Sequence, residues 1–169
     1  MISSPLTTLH YLRKTLSLAR SAARVGEIPI GAVIVSSSGI VLGSARNATV
    51  ARIDACAHAE ILAIRAARRK ACAPRIDGAT LYVSLEPCLM CLGAAVHARV
   101  AHIVYAARSP KFGAWSAGGG AWLSAIPYAI TADCAADAPL DMITNIDIRA
   151  CADASETLLK TFFEKKRSC

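Results

Sequence analysis

One stretch of this 169-residue chain leaves little conformational freedom. Thr80-Leu81-Tyr82-Val83-Ser84-Leu85 is β-branched, aromatic and apolar, and Glu86-Pro87 stops it. Cys88-Leu89-Met90-Cys91 then opens a run that reads as a helix as far as Ala98. Pro87 lies at or just before the first turn, where a missing N–H costs nothing. Residues 100–106 are apolar and β-branched again. Strand at 80–85, helix at 88–98 and strand at 100–106 form a crossover, and a crossover makes its two strands parallel.

The rest of the chain is arranged around that unit. Residues 5–24 predict a first helix, with Leu9, Leu12, Leu16, Ala19 and Ala23 on one face and Arg13, Ser17, Arg20 and Arg24 on the other. The first 26 residues carry no acid, as organellar transit peptides do, but Gly26 stops the pattern and a strand follows at once, which favours a structural helix. Residues 30–36 and 40–44 read as a hairpin around Ser37-Ser38-Gly39. Residues 46–57 read as a loop and 58–71 as a second helix, whose cationic end (Arg65, Arg68, Arg69, Lys70) suits the helix dipole. Residues 121–140 read as a loop with one short helix, 143–148 as a last strand and 153–166 as a last helix. The expected fold is α/β, a mixed sheet flanked by helices. With no repeat and no linker, one domain spanning 1–169 is expected.

Charge and cysteine usage narrow the class. Nineteen Lys and Arg against twelve Asp and Glu give a net charge of +7, which suits a polyanionic partner and equally an ordinary solvated face. No apolar run reaches the roughly 18–20 residues that span a bilayer, so no membrane partner is expected. Seven irregularly spaced cysteines without a secretory signal argue for reduced thiols in the cytoplasm.

Two motifs carry the chemistry. Cys88 and Cys91 sit three apart in a first helical turn, where free N–H groups and the dipole favour thiolates. His58 and Glu60 stand two apart at the start of the preceding helix. One imidazole and two thiolates make three ligands for zinc, and three protein ligands with an open fourth position are the mark of a catalytic rather than a structural site. A water in that position can lose a proton near neutral pH. Glu60 is placed to take it, then to deliver it to a ring nitrogen and a leaving amine. Either motif alone is commonplace. Together, His-x-Glu followed about thirty residues later by Pro-Cys-x-x-Cys is the signature of the zinc nucleobase deaminases.

The chain resembles that family and within it the bacterial-type tRNA-specific adenosine deaminases, of the cytidine deaminase-like superfamily. The resemblance lies in Gly26-Glu27-Ile28-Pro29-Ile30-Gly31-Ala32-Val33, in Asn47 after the second strand, in residues 80–91 and 93–100, and in Leu158-Leu159-Lys160-Thr161-Phe162-Phe163. It covers residues 9–113 and the last helix. It implies a three-layer α/β/α fold around a five-stranded mixed sheet, with one zinc per subunit on His58, Cys88 and Cys91 and with Glu60 as general acid/base. It implies that Asn47 and the backbone at Ala59 read a flipped base, that Ile28 and Pro29 pack near it, and that the molecule is a homodimer gripping a tRNA anticodon stem-loop. The implied reaction is adenosine to inosine at the wobble position.

Two departures stand out. Ser109 replaces an aspartate that the family usually has near the sugar beside the target nucleotide. Residues 114–147 are rich in glycine and alanine and longer than the family's span. The shared metal motif leaves a deaminase of free bases or nucleotides open, and at greater distance a non-catalytic zinc-bearing RNA-binding subunit, although such subunits commonly lack the glutamate present here. His97 is expected to be a buried, hydrogen-bonded histidine and Cys56 a small packing residue. Lys165-Lys166-Arg167 is either a solvated tail or a phosphate contact.

Overall fold

The computed structural model describes residues 4–117, 131–137 and 143–168, without side chains over 143–146. Helix α1 (Pro5–Arg24) starts at Ser4, whose hydroxyl accepts from the N–H of Thr7, and buries Leu9, Leu12, Leu16 and Ala19 as the periodicity requires. Strands β1 (Gly31–Val35) and β2 (Val41–Arg46) are the hairpin. A four-residue turn of helix, α2 (Thr49–Arg52), interrupts the stretch read as loop. Helix α3 (Ala59–Ala71), strand β3 (Thr80–Leu85), helix α4 (Leu89–His97) and strand β4 (His102–Ala107) follow in the expected order.

The sheet has five strands in the order β2-β1-β3-β4-β5. β1 runs antiparallel to both β2 and β3, and β3 runs parallel to β4, with Leu81 opposite Ile103 and Val83 opposite Tyr105. The parallel pair inferred from the crossover is therefore present at the centre of a mixed sheet.

The fifth strand is not where the alternation of isoleucines suggests. β5 is Thr131–Cys134, parallel to β4, inside the stretch read as loop. Residues 143–148 are instead the opening turns of a long helix, α5 (Ile143–Arg167). Ile146 and Ile148 alternate as in a strand, but Ile148, Cys151, Ala152 and Ser155 are buried at helical spacing, and that longer pattern prevails. The short helix read into residues 121–140 corresponds to a 3-10 turn at Ala135–Asp137; residues 121–130 and 138–140 lie outside the described residues.

Each face of the sheet has its own core. Leu12, Leu16, Val33, Tyr82 and Val104 pack with Ile148 and Cys151 on the α1/α5 side. Ile34, Leu81, Val83 and Ile103 pack with Ile64, Ala67, Leu92 and Ala95 on the α3/α4 side. The alanine-rich faces let α3 approach closely: a Cβ on Gly43 of β2 would stand 2.4 Å from the Ala63 carbonyl. Three layers result, and the first turns of α3 and α4 meet at one end of the second core.

Candidate active site

His58 and Cys88 hold the same position in two helices. Each is an N-cap with extended backbone, at φ −67°, ψ 151° and φ −74°, ψ 169° respectively. An N-cap side chain overlies its helix's first turn. Cys91, three residues on, lies in that turn, so Cys88 and Cys91 meet as cap and turn rather than as two residues inside the helix. The positive ends of both helix dipoles are brought together there and favour negative charge.

The three ligand atoms converge. His58 Nδ1 is 3.4 Å from Cys91 Sγ and 3.7 Å from Cys88 Sγ, and the candidate ligand atoms lie within 4.8 Å of one another. Tetrahedral zinc at ordinary bond lengths sets an imidazole nitrogen and a thiolate sulfur about 3.6 Å apart. Spacing and donor set fit that ion. Among the described residues this is the one group of three such side chains gathered closely enough to hold a metal.

The electrostatics suit a cation. The Cys91 thiol donates to Cys88 and, against the opposing effect of burial, lowers the Cys88 thiol to about 4 with help from His58. Cys91, giving that hydrogen bond and buried beside Glu60, is pushed up. His58 is raised, chiefly by its hydrogen bond to Cys88. Protons on Cys91 and His58 thus point at the Cys88 sulfur, where a dication can replace them.

Glu60, in the first turn of α3, is 3% exposed. Its Oε2 is buried and, among the described residues, the one buried side-chain nitrogen or oxygen without a hydrogen-bond partner. Burial pushes its carboxyl up, opposed by its own backbone N–H, by His58 and by the Cys91 thiol. Leaving such an oxygen unpaired costs about 1–3 kcal/mol, and groups kept this way belong to functional sites more often than to the core.

Of the other expected residues, Asn47 follows β2 and Ala59 opens α3. The N–H of Asn47 donates to the Ile30 carbonyl at 2.9 Å, and that of Ala48 to the Ala57 carbonyl at 3.0 Å, one residue before His58. Asn47, Pro29 and Ala59 are buried and Ile28 is half-buried. Ser109 is half-buried in a loop that folds back over α4: its N–H donates to Glu86 Oε2 at 2.9 Å, and Gly113 bridges to Cys88. Phe112, on the same loop, is exposed.

Two expectations are corrected. His97 is exposed, because the last turn of α4 turns that position to solvent. Cys56 is also exposed rather than packed, in the turn before His58, and stands outside the ligand group.

Two residues escaped the motif reading. Glu86 accepts from the N–H groups of Ser109, Trp115 and Ser116 and from the Ser116 hydroxyl, holding the whole loop. Glu27 does the same for residues 47–51. Their common signal is a carboxylate set between apolar neighbours, Gly26-Glu27-Ile28 and Leu85-Glu86-Pro87.

The chain is 44% identical over 109 residues to a tRNA-specific adenosine deaminase of Agrobacterium fabrum, covering 64% of this chain and 71% of that one. It is 50% identical over 101 residues to a tRNA(Ile)-lysidine synthase of Deinococcus deserti, where the match takes in 60% of this chain and only 19% of that protein. A solved structure from studies of A-to-I editing by tRNA:A34 deaminases at the wobble position superposes with TM-score 0.75 at 34% identity, over 89% of this chain and 99% of that one. A guanine deaminase of Bacillus subtilis superposes with TM-score 0.57 at 38% identity, over 64% and 68%. The sequence model of the MafB19-like deaminases matches residues 7–167. That span takes in all the described strands, both ligand-bearing helix starts and the whole of the closing helix, and on it the chain belongs to the MafB19-like deaminase family.

Proposed function

We propose that this chain deaminates adenosine to inosine by hydrolysis at the wobble position, anticodon position 34, of a tRNA. The observation that carries the reading is the unpartnered Glu60 Oε2, buried beside three converging metal donors. That oxygen has no structural bond to keep and is free to carry a proton.

His58 Nδ1, Cys88 Sγ and Cys91 Sγ would hold one zinc ion, which when bound supplies Lewis acidity to a water molecule. Glu60 Oε2 accepts a proton as water adds at C6 of the purine. It passes that proton to ring nitrogen N1, and then carries the remaining proton of the oxygen added at C6 to the amino group. The C6–N6 bond then breaks, ammonia leaves, and the ring keeps the oxygen. Glu60 is 3% exposed, and that burial limits bulk water around the carboxylate, which keeps the proton local.

Substrate choice rests on residues outside the quartet of His58, Glu60, Cys88 and Cys91. Asn47 and the backbone at Ala59 read the base, Ile28 and Pro29 pack against it, and Ser109 faces the sugar side, where a neutral hydroxyl takes the place of a charge. The net charge of +7 and the exposed Arg65, Arg68, Arg69 and Lys70 favour a polyanion over a free base. A homodimer belongs to the same reading, supported by the exposed Leu89, Met90 and Phe112 around Cys88. So does a reducing, cytoplasmic setting, supported by free thiols at Cys56, Cys72, Cys88, Cys91, Cys134 and Cys151. Among the described residues no helix is long and apolar enough to cross a membrane.

The test is direct. Purified protein is incubated with anticodon stem-loops carrying adenosine at position 34 and, separately, with free guanine, cytosine and dCMP, and inosine and ammonia are measured. Conversion of the stem-loop with little turnover of free bases supports the reading. Preference for a free base, or binding of the stem-loop at full zinc occupancy without turnover, overturns it.

A further inference from the structure

Glu27 is one of two buried acids, with Glu86, that the reaction above does not use. It is 1% exposed, between the end of α1 and β1. Its Oε1 accepts from the N–H of Ala51 at 2.8 Å. Its Oε2 accepts from the N–H of Val50 at 3.3 Å, from the Thr49 hydroxyl at 3.3 Å and from Asn47 Nδ2 at 3.1 Å. Asn47 Nδ2 also donates to Thr49 Oγ1 at 3.1 Å. Burial pushes the Glu27 carboxyl up; the bonds from Ala51, Val50, Asn47 and Thr49 outweigh it and hold it below the ordinary value of 4.5.

The direction of every bond in this network follows from that carboxylate. It can only accept. Thr49 gives it the single hydroxyl hydrogen, and the Thr49 lone pairs then face Asn47. Asn47 must turn its NH2 inward, with one hydrogen to Glu27 and one to Thr49. Flipping the amide would set Oδ1 against a carboxylate and a lone pair, so the network decides the orientation. Both Asn47 amide hydrogens are engaged, and Oδ1 accepts no bond among the described residues.

We infer that Glu27 is a positioning residue that locks Asn47 with its amide oxygen toward the substrate, so that the group read there is a hydrogen-bond donor of the nucleoside. This rests on the reading of Asn47 as substrate-facing. Two nucleoside donors share the required chemistry, the exocyclic amino group and a ribose hydroxyl. Adenine N3 and N7 are acceptors, and an acceptor at Asn47 repels them.

Glu27→Gln tests it. Glutamine keeps the volume but offers one acceptor oxygen for the four donors that two carboxylate oxygens satisfied. Its NH2 must face some of those donors, so the lock on Asn47 loosens and the amide is released to turn its own NH2 outward. The expected result is a folded protein whose KM for the stem-loop rises about tenfold while kcat changes less. Glu27→Gln combined with Asn47→Asp rebuilds an inward donor and an outward acceptor, and is expected to recover most of the loss. NMR reads the network without activity: the Asn47 side-chain NH2 protons exchange slowly in the wild type and rapidly in Glu27→Gln. On a stem-loop with 2′-deoxyadenosine at the target position, disappearance of the Glu27→Gln penalty identifies the 2′-hydroxyl as the donor, and its persistence identifies the amino group.

A folded Glu27→Gln variant with KM within about twofold of wild type overturns the inference. So does fast exchange of the Asn47 NH2 protons in the wild type. Should Glu27→Gln fail to fold, the double variant decides: wild-type KM supports the inference and a raised KM overturns it. Should the double variant also fail to fold, the wild-type exchange rate decides alone. Inactivity of the wild type on every stem-loop counts against the functional reading, and amide exchange still settles the network.

Discussion

Two kinds of buried glutamate stand within this molecule, and they have opposite surroundings. Glu27 and Glu86 are each enclosed by four donated hydrogen bonds. Glu60 has a buried oxygen with none. Burial works against ionisation in all three. In Glu27 and Glu86 the donated bonds prevail and the carboxyl lies below its ordinary value; in Glu60 burial prevails and the carboxyl lies above it. A saturated carboxylate ties down loops, whereas an unsaturated one is free to hold and release a proton. Burial alone does not separate a structural acid from a reactive one; the count of donors around it does.

That contrast can be broken most easily at Glu86. Glu86→Ala leaves three backbone N–H groups and one hydroxyl without their acceptor, and is expected to destabilise the fold by about 2–4 kcal/mol, seen as a lowered midpoint in urea. Gly113→Ala attacks the same clasp from outside. A Cβ there would stand 2.2–2.4 Å from the Glu86 carboxylate. The expected cost is about 1–3 kcal/mol, with the loop carrying Ser109 shifted and stem-loop KM raised. A Gly113→Ala protein of unchanged stability would show that the clasp is loose.

Acid titration sharpens the same contrast. A carboxyl lowered in the folded state stabilises fully above its unfolded value of 4.5 and loses that contribution as pH falls through the folded value. Glu27 and Glu86 therefore make the fold weaken as pH drops below about 4.5. Glu86→Gln is expected to be less stable at neutral pH and to show a shallower decline over that acid range, measured by urea unfolding from pH 3 to pH 7. A slope as steep as that of the wild type would contradict the assignment.

The smallest effect is expected at Cys56. It is exposed and outside the ligand group. Cys56→Ser should keep one zinc per chain and change stability by no more than about 0.5 kcal/mol. Loss of metal in this variant would make Cys56 a ligand and end the argument for an open fourth position.

How much of this was legible beforehand depended on how local the pattern was. The helix over 5–24, the strand over 80–85 and the ligand quartet can be read from a few adjacent residues, because a helical face, a β-branched run and a Pro-Cys-x-x-Cys step each declare themselves. β5 could not be read that way. Thr131–Cys134 is short, with alternate residues exposed, and exists as a strand because β4 offers it a parallel edge. Ile146 and Ile148 imitated a strand over a distance too short to show that Cys151, Ala152 and Ser155 continue a helix. Glu27 and Glu86 left only the faint signal of an acid between apolar neighbours for a related reason: their partners lie about 20–30 residues away along the chain, and only the fold delivers them.

The central claim is that Glu60 carries the proton while the metal donors carry the ion. Glu60→Gln separates them. The variant should be purified, its zinc content measured and its rate on an adenosine-34 stem-loop compared with wild type. The account predicts unchanged zinc content, an undiminished melting temperature and a kcat lower by about 10²–10⁴-fold. Full zinc with a rate close to wild type would contradict it.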